Sequence, residues 1–199
     1  MIVLGIDTAL DACSVALVRD RQPLASLSER MSKGQAERLA PMVREALTQA
    51  GTAFSDLDRI AVTTGPGSFT GVRVGLSFAR ALALAIGKPC IGVSTLEALA
   101  LQGGEQGLRA ALIETPGAAY AALYQDGEAL VAPVGIEHGE HERLFASGAA
   151  GRAYTLTGPK VVTDAVALAT RAERLDPARY LPEPTYLRAP HVTLLGGGA

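Results

Sequence analysis

The sequence predicts an α/β fold built on a mixed sheet, and three observations predict it. Apolar, β-branched runs within the first 30 residues are joined by connections too short for a crossover, which makes an antiparallel meander. After them, helix-length and strand-length patterns alternate, the order that right-handed crossovers turn into parallel strands. Between two of these patterns lies Gly65-Pro66-Gly67-Ser68-Phe69-Thr70-Gly71-Val72-Arg73, a break that ends one strand and launches one helix.

Taken in order, Ile2-Val3-Leu4-Gly5-Ile6 is the first strand and Ala12 to Val18 the second. The turn Asp20-Arg21-Gln22-Pro23 leads to a third at Leu24 to Ser28. A polar stretch, Glu29 to Gln35, precedes a helix from Ala36 to Ala50 whose apolar positions follow helical spacing, and Gly51 stops it. Asp58 to Thr64 reads as a buried strand, Thr70 to Ile86 as a helix, and Pro89 to Val93 as another strand. Ser94-Thr95-Leu96-Glu97 has the form of a capping box opening a further helix. Gly103 to Gly107 is the clearest change of composition, which places a boundary between residues 1–103 and 104–199. Beyond it, Ala110 to Ile113 is a strand, and Ala118–Tyr124 with Ala129–Val134 forms a hairpin across Asp126-Gly127. Weaker helical patterns run from Glu140 to Ala146 and from Asp164 to Arg174. Pro182 to Arg188 is extended by its prolines, and Gly196-Gly197-Gly198 reads as a frayed tail. The second half repeats the strand-and-hairpin start of the first as a reduced copy in pattern only.

Composition narrows the function classes. The chain has 199 residues, 48% of them apolar, enough for a core in one domain or two small ones. A net charge of -2 argues against a nucleic-acid binder that works alone. Cys13 and Cys90 lie in apolar runs without disulfide or metal spacing and read as buried, reduced thiols. Met1 leads straight into a strand with no basic leader or cleavage site, so a cytoplasmic protein is expected. The Thr70–Ile86 helix is expected to be too short for a bilayer and carries two arginines, so no membrane association is anticipated.

That helix is nonetheless unusual, because it is apolar nearly all round. Val72, Leu76, Ala79, Ala83 and Ile86 make one face, and Val74, Phe78, Ala81, Leu82 and Ala85 make another. A helix apolar on both sides has to be covered on both sides. Gly71, Gly75, Ala79, Ala83 and Gly87 recur every fourth residue, a smooth groove along which a second helix can approach closely. A partner protein is therefore the first expectation.

Catalytic patterns are sparse. Asp7-Thr8 at the end of the first strand could hold a metal–phosphate unit, and the loop from Gly65 to Gly71 could present N–H groups to an anion. Both features are read more simply as turn chemistry, the loop being neither a P-loop nor a dinucleotide fingerprint. His138 and His141, among Glu137, Glu140 and Glu142, read as a solvated helix start rather than a metal site, and His191 stands alone. Ser14, Ser68 and Ser94 are nucleophiles by residue type alone.

Gly5-Ile6-Asp7-Thr8-Ala9, Ala12 to Leu17, Gly65 to Arg73, Pro89 to Thr95 and Pro184-Thr185-Tyr186-Leu187-Arg188 closely resemble the TsaB (YeaZ) family. The resemblance implies an actin/sugar-kinase-like (ASKHA) fold of two RNase H-like subdomains, the second truncated. It implies a role in making threonylcarbamoyladenosine, the modified base beside the tRNA anticodon, as an accessory subunit without catalytic residues of its own. In that family the chain pairs with TsaD, which carries the metal and transfers the threonylcarbamoyl group, and the ATPase TsaE joins them. Alone, the chain is expected to form a weak homodimer, with tRNA reached only as the substrate of the complex. TsaD resembles this chain around Ile91-Gly92-Val93 but follows it with a His-x-x-x-His metal pair, at whose positions stand Thr95 and Leu99. No metal ligand is therefore assigned here. The expected partner-binding residues are Leu39, Met42, Val43, Ala46 and Leu47 with Gly71, Val72, Gly75, Leu76, Ala79 and Ala83. Asp7, Thr8, Gly65 and Gly67 are the candidate nucleotide-binding residues, and ATP or ADP at the TsaD junction stays an open alternative to no cofactor. Gln35, where the family often has histidine, and Glu114-Thr115-Pro116-Gly117, where it commonly reads Asp-Ala-Arg, depart from the pattern. The competing reading is an enzyme, either an actin-superfamily ATPase or a peptidase.

Overall fold

The computed structural model describes residues 1–158 and 161–187; Arg188, His191 and the glycines at 196–198 lie outside them. Strands β1 (Ile2–Asp7), β2 (Ala12–Arg19) and β3 (Gln22–Arg30) form the antiparallel meander. Asp20 and Arg21 both take positive φ in the two-residue turn, matching the twist of the strands they join. β3 starts two residues earlier than expected, and its Pro23 sits where the register shifts on this edge strand, so no ladder donor is lost inside the sheet.

Helix α1 (Gln35–Ala50) ends on Gly51, whose φ of 58° lets its N–H reach the Leu47 and Thr48 carbonyls. β4 (Arg59–Thr63) then pairs parallel to β1. Helix α2 (Phe69–Ile86) follows, capped by Ser68, whose Oγ accepts the Gly71 N–H. β5 (Cys90–Val93) closes a five-stranded sheet of order β3-β2-β1-β4-β5. Helix α3 (Thr95–Leu101) opens without the expected capping box, because Ser94 Oγ donates to the Gly65 carbonyl and Glu97 pairs with Arg171.

The second sheet repeats the plan with one strand fewer. β6 (Leu108–Thr115), β7 (Ala118–Gln125) and β8 (Glu128–Ile136) form a meander, and β9 (Thr155–Thr157) pairs parallel to β6. Its order, β8-β7-β6-β9, mirrors β3-β2-β1-β4 in sense and sequence. Two such mixed sheets with helices, the second reduced, make the α/β architecture that the sequence predicts. Helix α4 (His141–Ala149) packs on the second sheet through Phe145 and Ala149. β9, a strand of three residues, gives no periodicity that a sequence reading can register.

Packing does not divide at residue 103. Helix α5 (Ala165–Ala172) returns to the first sheet, where Leu168, Ala169 and Ala172 pack with Val3, Val18, Ala61, Ile91 and Val93. Gly5 permits this approach, since a Cβ there would lie 2.6 Å from the Ala165 carbonyl oxygen. Arg59 donates to the Ala172 and Leu175 carbonyls at 3.0 and 2.7 Å, a cation closing the C-terminal end of α5. α3, conversely, packs on the second sheet through Leu96, Leu99 and Ala100. Helices α1 and α2 cover the other face of the first sheet, so every residue of β1 is buried.

Candidate partner-binding site

Helix α2 lies against the first sheet with its small residues inward. A Cβ on Gly71 would overlap the Thr8 carbonyl oxygen, and one on Gly75 would lie 2.6 Å from Thr8 Oγ1. Thr8 Oγ1 itself donates to the Gly71 carbonyl at 2.7 Å, tying the β1–β2 connection to the first turn of the helix. Val72, Leu76, Ala79 and Ala83 continue the buried row, and Leu39, Met42, Val43, Ala46 and Leu47 of α1 are buried beside it. This corrects the expected partner-binding set. All eleven residues are buried in the chain's own packing, and of them Val72 and Leu76 also reach the walls of surface hollows. A stripe of small residues lets a helix approach any surface closely, and here that surface is the chain's own strand end.

The opposite face of α2 is open. Arg73, Ser77, Arg80, Ala81, Leu84 and Ala85 are exposed, and Val74, Phe78, Leu82 and Ile86 are half-buried along its flank. Leu84 is 84% exposed, a large aliphatic group with almost no cover. At 18 residues, α2 meets the length and apolarity of a membrane span, so its length does not exclude one; its buried row shows instead a helix packed on a sheet.

At the N-terminal end of that face, Phe69 and Tyr186 are 59% and 57% exposed, with ring centroids 6.3 Å apart. The Arg73 guanidinium lies 3.8 Å over the Phe69 ring and donates to Tyr186 Oη at 3.4 Å. Tyr186 is held there because the C-terminal segment runs along the first sheet: the Gly92 N–H donates to the Tyr180 carbonyl and the Thr185 N–H to the Thr64 carbonyl. Gly65, Val72, Tyr120, Thr185 and Leu187 complete a hollow of about 590 Å³ beside these rings. Sequence reasoning missed this face as the open one. The signal that finds it is the spacing 73, 77, 80, 84, which carries both arginines of the helix on one side.

The candidate nucleotide-binding residues are engaged internally. Asp7 is fully buried, and its Oδ1 accepts from Thr63 Oγ1 at 2.5 Å and from the Ala9 N–H at 3.2 Å. Burial raises its pKa to about 6 against the opposing bonds from Thr63, Ala9 and Thr163, while Oδ2 has no partner of normal geometry among the described residues. The Ser68 N–H donates to the Ala9 carbonyl at 2.7 Å, and a Cβ on Gly67 would overlap the same carbonyl. The Gly65 carbonyl accepts the Thr95 N–H at 2.9 Å. Asp7, Thr8, Gly65 and Gly67 therefore knit the β1–β2 connection to the α2 entry, while Gly65 and Gly67 also line the hollow beside Phe69. The cleft of about 660 Å³ beside them is lined by Gly67 itself, with Leu10, Asp11, Arg30, Ser68, Glu114 and Tyr120.

Nucleophile and metal geometries do not assemble either. Ser14 Oγ and Ser28 Oγ bond each other, Ser68 caps α2, and Ser94 is held by Gly65. His138 bonds the Thr115 carbonyl, His141 stacks near Phe145, and among the described residues no group of three His, Cys, Asp or Glu side chains could hold a metal. Burial pushes the Cys13 and Cys90 thiols up to about 11, away from reactive thiolate. Thr95 and Leu99 are buried in the α3 core, and neither offers a nitrogen ligand.

Residues 28–127 match the family model described as TsaD, tRNA N6-adenosine threonylcarbamoyltransferase. The chain is 42% identical over 144 residues to the tRNA threonylcarbamoyladenosine biosynthesis protein TsaB of Escherichia coli (strain K12), covering 70% of this chain and 60% of that protein. It is 36% identical over 127 residues to the TsaB protein of Bacillus subtilis (strain 168), covering 63% and 56%. The chain thus spans less than two thirds of the length of these relatives. Among solved structures, a Pseudomonas aeruginosa protein described as similar to peptidase YEAZ superposes with a TM-score of 0.73 at 29% identity, covering 94% of this chain and 99% of that one.

Proposed function

We propose that this chain, which belongs to the TsaB (YeaZ) family, serves tRNA threonylcarbamoyladenosine biosynthesis as a non-catalytic subunit that docks TsaD through the open face of α2. One observation carries the reading: a helix face, with apolar Leu84 at its most exposed point, that the described residues leave uncovered. Burying Leu84, Ala81, Ala85 and the half-covered Phe78 and Leu82 against a partner helix supplies the driving force. The inner face of the same helix is stitched to β1 and β4, so the docking face is presented on a rigid platform. Thr95 and Leu99 stand where the resemblance puts a histidine pair in TsaD, which supports leaving the transfer chemistry to the partner. TsaE joins the pair, tRNA is met only as the substrate of the assembly, and a weak homodimer forms in the absence of TsaD.

Size-exclusion chromatography with light scattering, on the chain alone and mixed with TsaD from the same organism, tests this. A one-to-one complex, with tRNA modification reconstituted only in the mixture, is expected. No complex at micromolar concentration would overturn the docking reading, and nucleotide or peptide hydrolysis by the chain alone would restore the enzyme alternative.

A further inference from the structure

Arg73 and Arg80 stand seven residues apart on the midline of the open α2 face, with exposed Ser77 between them. Seven residues are close to two helical turns, so both guanidinium groups leave the same side, about 10 Å apart along the axis. Arg73 contacts neutral groups, the Phe69 ring and the Tyr186 hydroxyl. Among the described residues neither arginine has a carboxylate partner, whereas Arg38, Arg171 and Arg174 each do. Between the two lies a hollow of about 360 Å³ walled by Leu76, Ser77, Pro184 and Tyr186, with both arginines on its rim. On neighbouring α1, Glu37 and Arg44 are exposed and of opposite charge, while Glu45 is held by Arg38 at 3.0 Å.

We propose that Arg73 and Arg80 choose the partner of this face, admitting a heterologous apolar helix that places carboxylates in the hollow and opposing a second copy of this chain. The proposal rests on the docking reading given above. Ser77 is the small residue at the centre of the face, where two helices approach most closely. An antiparallel twofold pair centred there sets Arg73 against Arg80 of the second copy and Arg80 against its Arg73. Two like-charge contacts are then pressed into a drying interface, which disfavours the homodimer. A partner with carboxylates at the matching positions converts both contacts into charge-assisted hydrogen bonds.

Symmetry makes the test sharp, because Arg80→Glu changes both contacts at once and turns each repulsive pair into an Arg–Glu pair. Sedimentation equilibrium of the full chain should show self-association tightened about tenfold at low salt, with the gain lost near 0.5 M salt, where charges are screened within about 4 Å. Titration with TsaD should show binding weakened about tenfold, and Arg80→Lys should behave as the parent chain in both measurements. Unchanged or weaker self-association of the Arg80→Glu chain would overturn the proposal, as would undiminished binding of TsaD. If the parent chain does not bind TsaD at all, the docking reading fails, while the self-association arm still decides the charge rule.

Discussion

The two faces of α2 differ in charge and in exposure. Toward the sheet stand Gly71, Gly75, Ala79 and Ala83, and away from it stand Arg73, Ser77, Arg80 and Leu84. The buried row carries no charge, and both arginines of the helix lie on the exposed side. The inner face is small because backbone must pass close: the β1–β2 connection crosses within contact of Gly67, Gly71 and Gly75. The outer face carries Arg73, Arg80 and Leu84 in exposed positions, with Pro184 and Tyr186 beside its N-terminal half.

The comparison predicts that inner-face changes cost folding and outer-face changes cost only association. Gly75→Leu drives a side chain into Thr8 Oγ1 and Val62, and should destabilise the chain by about 3 kcal/mol or more, seen as a fall in thermal midpoint of roughly 6–12 °C. A Gly75→Leu chain with parental stability would show that the inner face is not closed. Asp7→Asn probes the buried carboxyl beneath the same helix. Because the folded pKa of Asp7 is raised to about 6, the folded state keeps a proton that the unfolded state has released, so stability falls as pH rises from about 4 to about 6. The amide, neutral throughout, should flatten that fall and raise stability at neutral pH by on the order of 3 kcal/mol. Denaturant titrations at pH 4, 6 and 7.5 measure it. Removing the Ser68 cap with alanine should cost about 1 kcal/mol through the lost Gly71 bond, and urea unfolding resolves that. Leu84→Ser should move stability by no more than about 0.5 kcal/mol, yet weaken TsaD binding at least tenfold. A loss of stability there would mean that Leu84 is core after all.

How far the sequence leads can be judged on the same helix. Its length, its start after Ser68 and its stop at Gly87 are written in local chemistry, and so are the meander and the parallel strands. Which face turns inward is not local information. The four-residue recurrence of Gly71, Gly75, Ala79 and Ala83 reports close approach but not its object, and only the tertiary fold brings Thr8 there, 63 residues away from Gly71. Ser94 and Glu97 teach the same lesson: a capping-box spacing was available locally, and more distant partners, Gly65 and Arg171, took both side chains. β9 and the return of α5 depend on contacts across the whole chain. Asp7 and Thr8 were legible as turn residues, but their burial required the strand end to be roofed by α2.

That return of α5 also sets a timetable. The strands it covers are made first, and the helix that covers them is the last in the described chain. At synthesis rates of about 5–20 residues per second, several seconds separate the emergence of β5 from that of α5. Throughout that interval Val3, Val18, Ala61, Ile91 and Val93 have no helix to shelter them. The first half of the molecule is thus finished by the second, and a nascent chain halted before residue 165 would present a sticky sheet to chaperones.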